Sequence, residues 1–207
     1  MMRPFVKIWA LALCTFIITS CSNDNKRRGV DYTKFKSEIT LTPEQEKSYD
    51  EITIRYQKQA EQNFEVAKAQ GGQMDRVALG VKSEELRARQ AEEMAKVLDN
   101  DQMEKFNKFV DENARKRPRY NNEILAKLKT ELQLSEDQFA MLNAANDAFE
   151  KSFNDAHDVY HGNNELAKEY WEKFDKQRKE ALQKVFTPDQ NTRFLEIVKD
   201  QQFKGRK

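Results

Sequence analysis

The sequence predicts an all-α protein of long helical hairpins, and three observations carry that prediction. Six Gly and four Pro among 207 residues fall far below the usual share of roughly 12%, too few turns for a many-stranded sandwich or barrel. Charged residues make up 34% and apolar residues 38%, the balance of amphipathic helices that each bury one stripe. Apolar residues also recur in steps of three and four, the period of a helix. Thirteen Phe argue against disorder, because disordered chains lack aromatics. Lys and Arg number 36 against 35 Asp and Glu, so no global field draws nucleic acid or an acidic membrane.

The first element is an address. Arg3 and Lys7 precede an apolar run from Ile8 to Ile18, and the small residues Thr19 and Ser20 lead to Cys21. Residues 1–20 read as a secretory signal, because the run is too short to span about 30 Å of hydrocarbon. Ile18-Thr19-Ser20-Cys21 resembles the bacterial lipobox, which implies that Cys21 carries lipid at the mature N-terminus. Cys14 is then lost with the signal, which excludes a disulfide, a thiolate zinc site and a cysteine nucleophile. Residues 21–30 form a polar tether. Ser22 stands where the retention signal of the enteric type has aspartate, which points to the outer membrane and a periplasm-facing location.

The rest of the chain repeats itself. Leu41-Thr42-Pro43-Glu44-Gln45 matches Leu134-Ser135-Glu136-Asp137-Gln138 at an offset of 93. Leu98-Asp99-Asn100-Asp101-Gln102 matches Phe186-Thr187-Pro188-Asp189-Gln190 at an offset of 88. Two units follow, 31–118 and 119–207, joined at Arg115-Lys116-Arg117-Pro118-Arg119, where Pro118 interrupts or restarts a helix.

All four motifs read as helix starts. Thr42, Asp99, Ser135 and Thr187 are N-cap residues whose oxygens accept orphan backbone N–H bonds. Gln45, Gln102, Gln138 and Gln190 fall three positions later and complete capping boxes. Pro43 and Pro188 occupy the first helical position, where a missing N–H costs nothing. Leu41, Leu98, Leu134 and Phe186 precede the caps, with Met103 and Phe139 as staple partners in two cases.

Helical stripes follow the caps. Tyr49, Ile52, Tyr56, Ala60, Phe64 and Ala67 form one; Phe139, Leu142, Ala145, Phe149, Phe153, Ala156 and Tyr160 form the other. Gly71-Gly72 and Gly162-Asn163-Asn164 end them in hairpin turns. Return helices run from Val77 to Val97, with Val81, Ala88, Ala91 and Ala95 or Met94 inward, and from Leu166 to Val185, with Tyr170, Phe174, Ala181 and Leu182 inward. Shorter helices run from Asn100 to about Arg115 and from Pro188 to about Phe203. Hairpins of this length and thinness suggest an elongated, curved body.

Four such motifs, a helix before the first of each pair and a secretory signal resemble the LTxxQ-motif family of Spy and CpxP. Leu41 to Gln45 fits that motif in full, Leu134 to Gln138 differs by Ser135, and the other two depart at Asp99 and Phe186. The resemblance covers nearly all of 31–205. It implies a small all-helical periplasmic stress protein that binds unfolded clients without ATP, on a cradle-shaped surface. Relatives act instead as signalling inhibitors or metal sensors, so an envelope stress or metal sensor that binds a partner protein, zinc or copper is the alternative. Single-unit relatives form two-fold dimers, so the two units here are expected to pair as a monomeric pseudo-dimer.

Little else in the sequence carries chemistry. His157 and His161, spaced i,i+4 on one helix face, are the only histidines; they are read as flank residues, with metal binding as the competing reading. The Arg115–Arg119 run is read as a solvated linker, and export makes nucleic acid an improbable partner. No G-x-S-x-G, H-E-x-x-H or phosphate-loop motif occurs, so no enzyme activity and no cofactor is expected. The expected partners are unfolded envelope clients, with the membrane reached through the N-terminal lipid alone.

Overall fold

The computed structural model describes residues 29–205; the expected signal, Cys21 and the tether up to residue 28 lie outside the described residues. Among the described residues the chain is all-helical: α1 Tyr32–Glu38, α2 Pro43–Ala69, α3 Arg76–Met94, α4 Asn100–Asn113, α5 Asn122–Glu131, α6 Glu136–Asp155, α7 His157–Tyr160, α8 Asn164–Gln183 and α9 Pro188–Ile197. None of these helices is long and apolar enough to cross a membrane.

Two hairpins dominate. The 27 residues of α2 reach about 40 Å before Gly71 and Gly72, both at φ 71°, turn the chain into α3 in a conformation that costs glycine little. The α2/α3 and α6/α8 pairs make the two largest helix–helix contacts, and α3 packs on α6. The second helix of the first hairpin thus meets the first helix of the second.

The core lies in three apolar clusters, and none contains residues from both sides of Pro118. One joins α1, α2, α3 and α4 through Tyr32, Phe35, Tyr49, Met94, Phe106 and Phe109. A second joins α5, α6, α8 and α9 around Leu128, Leu142, Leu182 and Phe194. A third fills the far end of the second hairpin with Phe153, Tyr160 and Ala167, flanked by Tyr170, Trp171 and Phe203.

The expected stripes need four corrections. Ala60, Ala88 and Ala181 face solvent; of the alternatives Ala95 and Met94 it is Met94 that is buried, and the buried line of α3 is Leu86, Gln90 and Met94. On α8, Asp175 and Arg178 are buried in place of a purely apolar stripe. The second long helix breaks at Ala156, where Asp155 ends α6 and His157 begins α7. Finally, α4 stops at Asn113 and α9 at Ile197. Phe203 lies beyond α9 and packs against Phe153 and Trp171, with ring centroids 6.4 and 6.0 Å away.

Candidate functional site

Each of the four motifs begins a helix with a complete capping box. Thr42, Asp99, Ser135 and Thr187 accept from the backbone N–H of Gln45, Gln102, Gln138 and Gln190, and each glutamine side chain bonds back to its cap. The folding reason is local: a β-region cap residue with a short oxygen-bearing side chain satisfies an otherwise orphaned donor.

The structure adds a pairing that motif spacing does not encode. Gln45 Nε2 donates to Gln102 Oε1 at 2.9 Å, and Gln102 Nε2 donates back to Gln45 Oε1 at 3.4 Å. Gln45 Nε2 also donates to Val97 O at 3.0 Å, and Gln102 Nε2 to Thr40 O at 2.8 Å. The second pair repeats this geometry. Gln138 and Gln190 exchange bonds of 2.9 and 3.3 Å, while their amides donate to Val185 O and Leu132 O at 3.2 and 3.0 Å.

Each glutamine therefore uses both amide hydrogens and accepts twice, from its own cap N–H and from its partner, the full capacity of the side chain. A capping box alone accepts Glu as readily as Gln. Only an amide can cap one helix and donate to the other. The four glutamines thus clip the start of α2 to the start of α4, and the start of α6 to the start of α9. They are half-buried structural contacts, with no reacting group beside them.

His157 and His161 come together. His161 Nδ1 lies 3.4 Å from His157 Nε2, and Asp158 Oδ1 lies 3.3 Å from His157 Nδ1. His157 is 4% exposed and opens α7, whereas His161 lies just past its end. The contact with His157, followed by Arg76, holds the Asp158 carboxyl below its usual range. Among the described residues, no group of three or more His, Cys, Asp and Glu side chains is placed to hold a metal ion.

The basic run is solvated only at its start: Arg115 and Lys116 are exposed, whereas Arg117 and Arg119 turn inward. Arg117 and Arg119 side chains are each 15% exposed and both pair with Glu150, which is 1% exposed. Arg117 Nε and Nη2 reach the two Glu150 carboxylate oxygens at 2.6 and 2.5 Å, a bidentate fork. Tyr120 follows them into the core. Asn146 Oδ1 accepts its N–H, and Asn146 Nδ2 donates to its carbonyl, both at 3.0 Å. The buried guanidinium of Arg178 lies between the Tyr120 and Phe149 rings, 3.6 and 3.9 Å from their centroids, and pairs with Asp175. Sequence reasoning missed this network because Asn146, Glu150 and Asn154 form a buried polar line beside the apolar stripe, and the arginine partners lie about 30 residues upstream.

A groove of about 600 Å³ between α2 and α3 has Ile52 and Val97 on its floor and Glu51, Arg55, Glu93 and Lys96 around it. Arg55 pairs with Glu93 there, and the Tyr56 hydroxyl donates to the same carboxylate at 2.7 Å. Ser48 also lines the groove. Apolar groups left in solvent are Ile54, at 65% exposure, and Val66, at 55%, on α2, with Met141, Val159 and Leu195 in the second half. Comparison with known proteins finds no family model, no curated protein and no solved structure that matches this chain.

Proposed function

We propose that the protein is a membrane-tethered, ATP-independent holdase of the bacterial envelope, anchored through Cys21 and facing the periplasm from the outer membrane. It would bind unfolded or partly folded clients and need no cofactor, nucleotide or chemical step. The observation that carries this reading is the long, thinly packed first hairpin. Beyond Tyr56 its expected stripe continues as exposed Ala60 and half-buried Phe64 and Ala67, while Ile54 and Val66 stand in solvent. Apolar side chains spaced among Lys, Arg, Glu and Asp give many weak contacts to exposed client segments without a deep pocket, as a holdase of broad specificity requires.

The resemblance of the four motifs to the Spy and CpxP family supports the same reading, and the all-helical architecture is compatible with it. Aggregation of an unrelated unfolding protein, followed by light scattering with residues 29–207 added, tests the proposal. Suppression at a few-fold molar excess without nucleotide is expected. No suppression at tenfold excess contradicts it.

A second reading, an envelope sensor of zinc or copper, draws on the 3.4 Å approach of the His157 and His161 ring nitrogens. Two bound imidazoles at about 2.0–2.1 Å from one tetrahedral ion stand about that far apart. The same experiment with and without zinc separates the two: a chaperone acts in both arms, whereas a sensor binds zinc and suppresses nothing.

A further inference from the structure

The two halves of the chain touch without sharing a core. None of the three apolar clusters crosses Pro118. Polar contacts cross the seam between the two halves. Arg117 Nη1 pairs with Glu84 on α3 at 3.2 Å while its other nitrogens hold Glu150 on α6. Arg76 on α3 pairs with Asp158 at 2.9 Å, and Gln73 Nε2 donates to Asp155 O at 2.7 Å. Gly80 makes room for the strap, since a Cβ there would lie 3.2 Å from Arg117 Cγ.

The two ends of this strap differ in burial. On α6 the carboxylate of Glu150 is almost fully enclosed, and Arg119 and Tyr120 anchor the same segment. The contacts to α3 are more exposed: the Glu84 side chain is 46% exposed, and Arg76, itself 22% exposed, pairs with Asp158 of α7, which is 63% exposed. Mobile ions screen exposed pairs far more than buried ones. Removing a partner from a buried pair is also much costlier than losing a surface pair.

We propose that residues 115–120 are an ionic strap that belongs to the second half, and that the α3–α6 seam is a hinge closed by its exposed end. The hinge opens at Glu84 and Arg76 while the Arg117–Glu150 pair stays made. Each half keeps its own core as the seam parts. Ionic strength is the physical control, and no covalent change is needed.

Distance measurement between spin labels tests this in the full chain in detergent, with Cys14 and Cys21 replaced by Ser and labels on Glu85→Cys and Ala148→Cys. Both label positions face solvent. One short, narrow distance is expected at low salt. A second, longer population should appear in 1 M salt, and at low salt in the double variant Glu84→Gln with Arg76→Gln. Gly80→Leu should give the longer population by displacing the strap sterically, even though leucine favours the helix over glycine. Far-ultraviolet circular dichroism and tryptophan fluorescence should match the parent in every case, which separates opening from unfolding. An unchanged short distance in both folded variants overturns the hinge. Loss of helix together with the longer distance overturns it too, since the halves would then be one cooperative body.

Discussion

The two hairpins start alike and end differently. Their bases share the capping boxes and the glutamine clip, yet their bodies have diverged at matched positions. At the 93-residue offset, Tyr56 corresponds to Phe149, Ala60 to Phe153, Phe64 to His157 and Gln57 to Glu150. In the second hairpin Phe153 stacks near Tyr160 at 4.8 Å and meets the edge of Trp171 at 5.3 Å, and Glu150 is sealed under two arginines. In the first, Ala60 is exposed and Phe64 half-buried. A helix start is fixed by four consecutive residues, so both halves retain it. The far end of a hairpin depends on partners from other elements, and only the second half supplies them, in Trp171, Phe203 and the strap.

The largest expected effect exploits the Glu150–Gln57 difference. Glu150→Ala leaves two half-buried arginines without their shared, buried carboxylate and should cost about 3 kcal/mol in urea unfolding. Gln57→Ala should cost less than about 1 kcal/mol. Equal costs would erase the distinction between the hairpins.

The aromatic cluster gives the next contrast. Phe153→Ala removes a ring that touches Tyr160, Trp171 and Phe203 and should cost about 3 kcal/mol by the same measurement. Ala60→Phe, its mirror in the first hairpin, should change stability by less than about 0.5 kcal/mol, because the site faces solvent. A gain of 2 kcal/mol there would mean that the first hairpin has an unfilled core.

Alkaline titration gives a smaller effect, weighted toward the first half. Burial pushes the Tyr32 hydroxyl up to about 12 and the Tyr49 hydroxyl higher still, both in the first cluster. Burial also raises Tyr120 in the second half. A phenol with a raised folded pKa favours the folded state while it is neutral. That contribution is whole below pH 10, the ordinary tyrosine value, and declines as pH rises toward 12 and beyond. Urea midpoints measured from pH 8 to 12 should stay level to about pH 10 and then fall. Tyr49→Phe should flatten the fall, and a slope unaffected by that change would remove the phenol from the cause.

The sequence made some of this legible and hid the rest for identifiable reasons. The caps were readable because N-cap and glutamine are three residues apart and act locally. The clip was not, because Gln45 and Gln102 are 57 residues apart; the hint was that glutamine, never glutamate, follows all four caps. Apolar periodicity placed Tyr49, Ile52, Leu142 and Phe149 correctly in the core. It failed on α3 and α8 because Gln90, Asp175 and Arg178 take inward places that a hydrophobic pattern counts as outward. The strap was misread for the same reason: Arg117 and Arg119 count as surface residues until Glu150 is seen beneath them.

The central structural claim is that the motif glutamines act as clips between helices as well as caps. Unfolding of Gln138→Glu beside Gln138→Ala, followed by circular dichroism in urea, tests it most directly. Glutamate keeps the cap acceptor and adds negative charge near a helix N-terminus, so a lone cap predicts no loss, or a gain of about 0.3–1 kcal/mol. A clip predicts the opposite, because a carboxylate cannot donate to Val185 O and would set an oxygen against Gln190 Oε1. The expected result is a loss of about 1–3 kcal/mol for Gln138→Glu, at least as large as for Gln138→Ala. A glutamate variant as stable as the parent would contradict the claim.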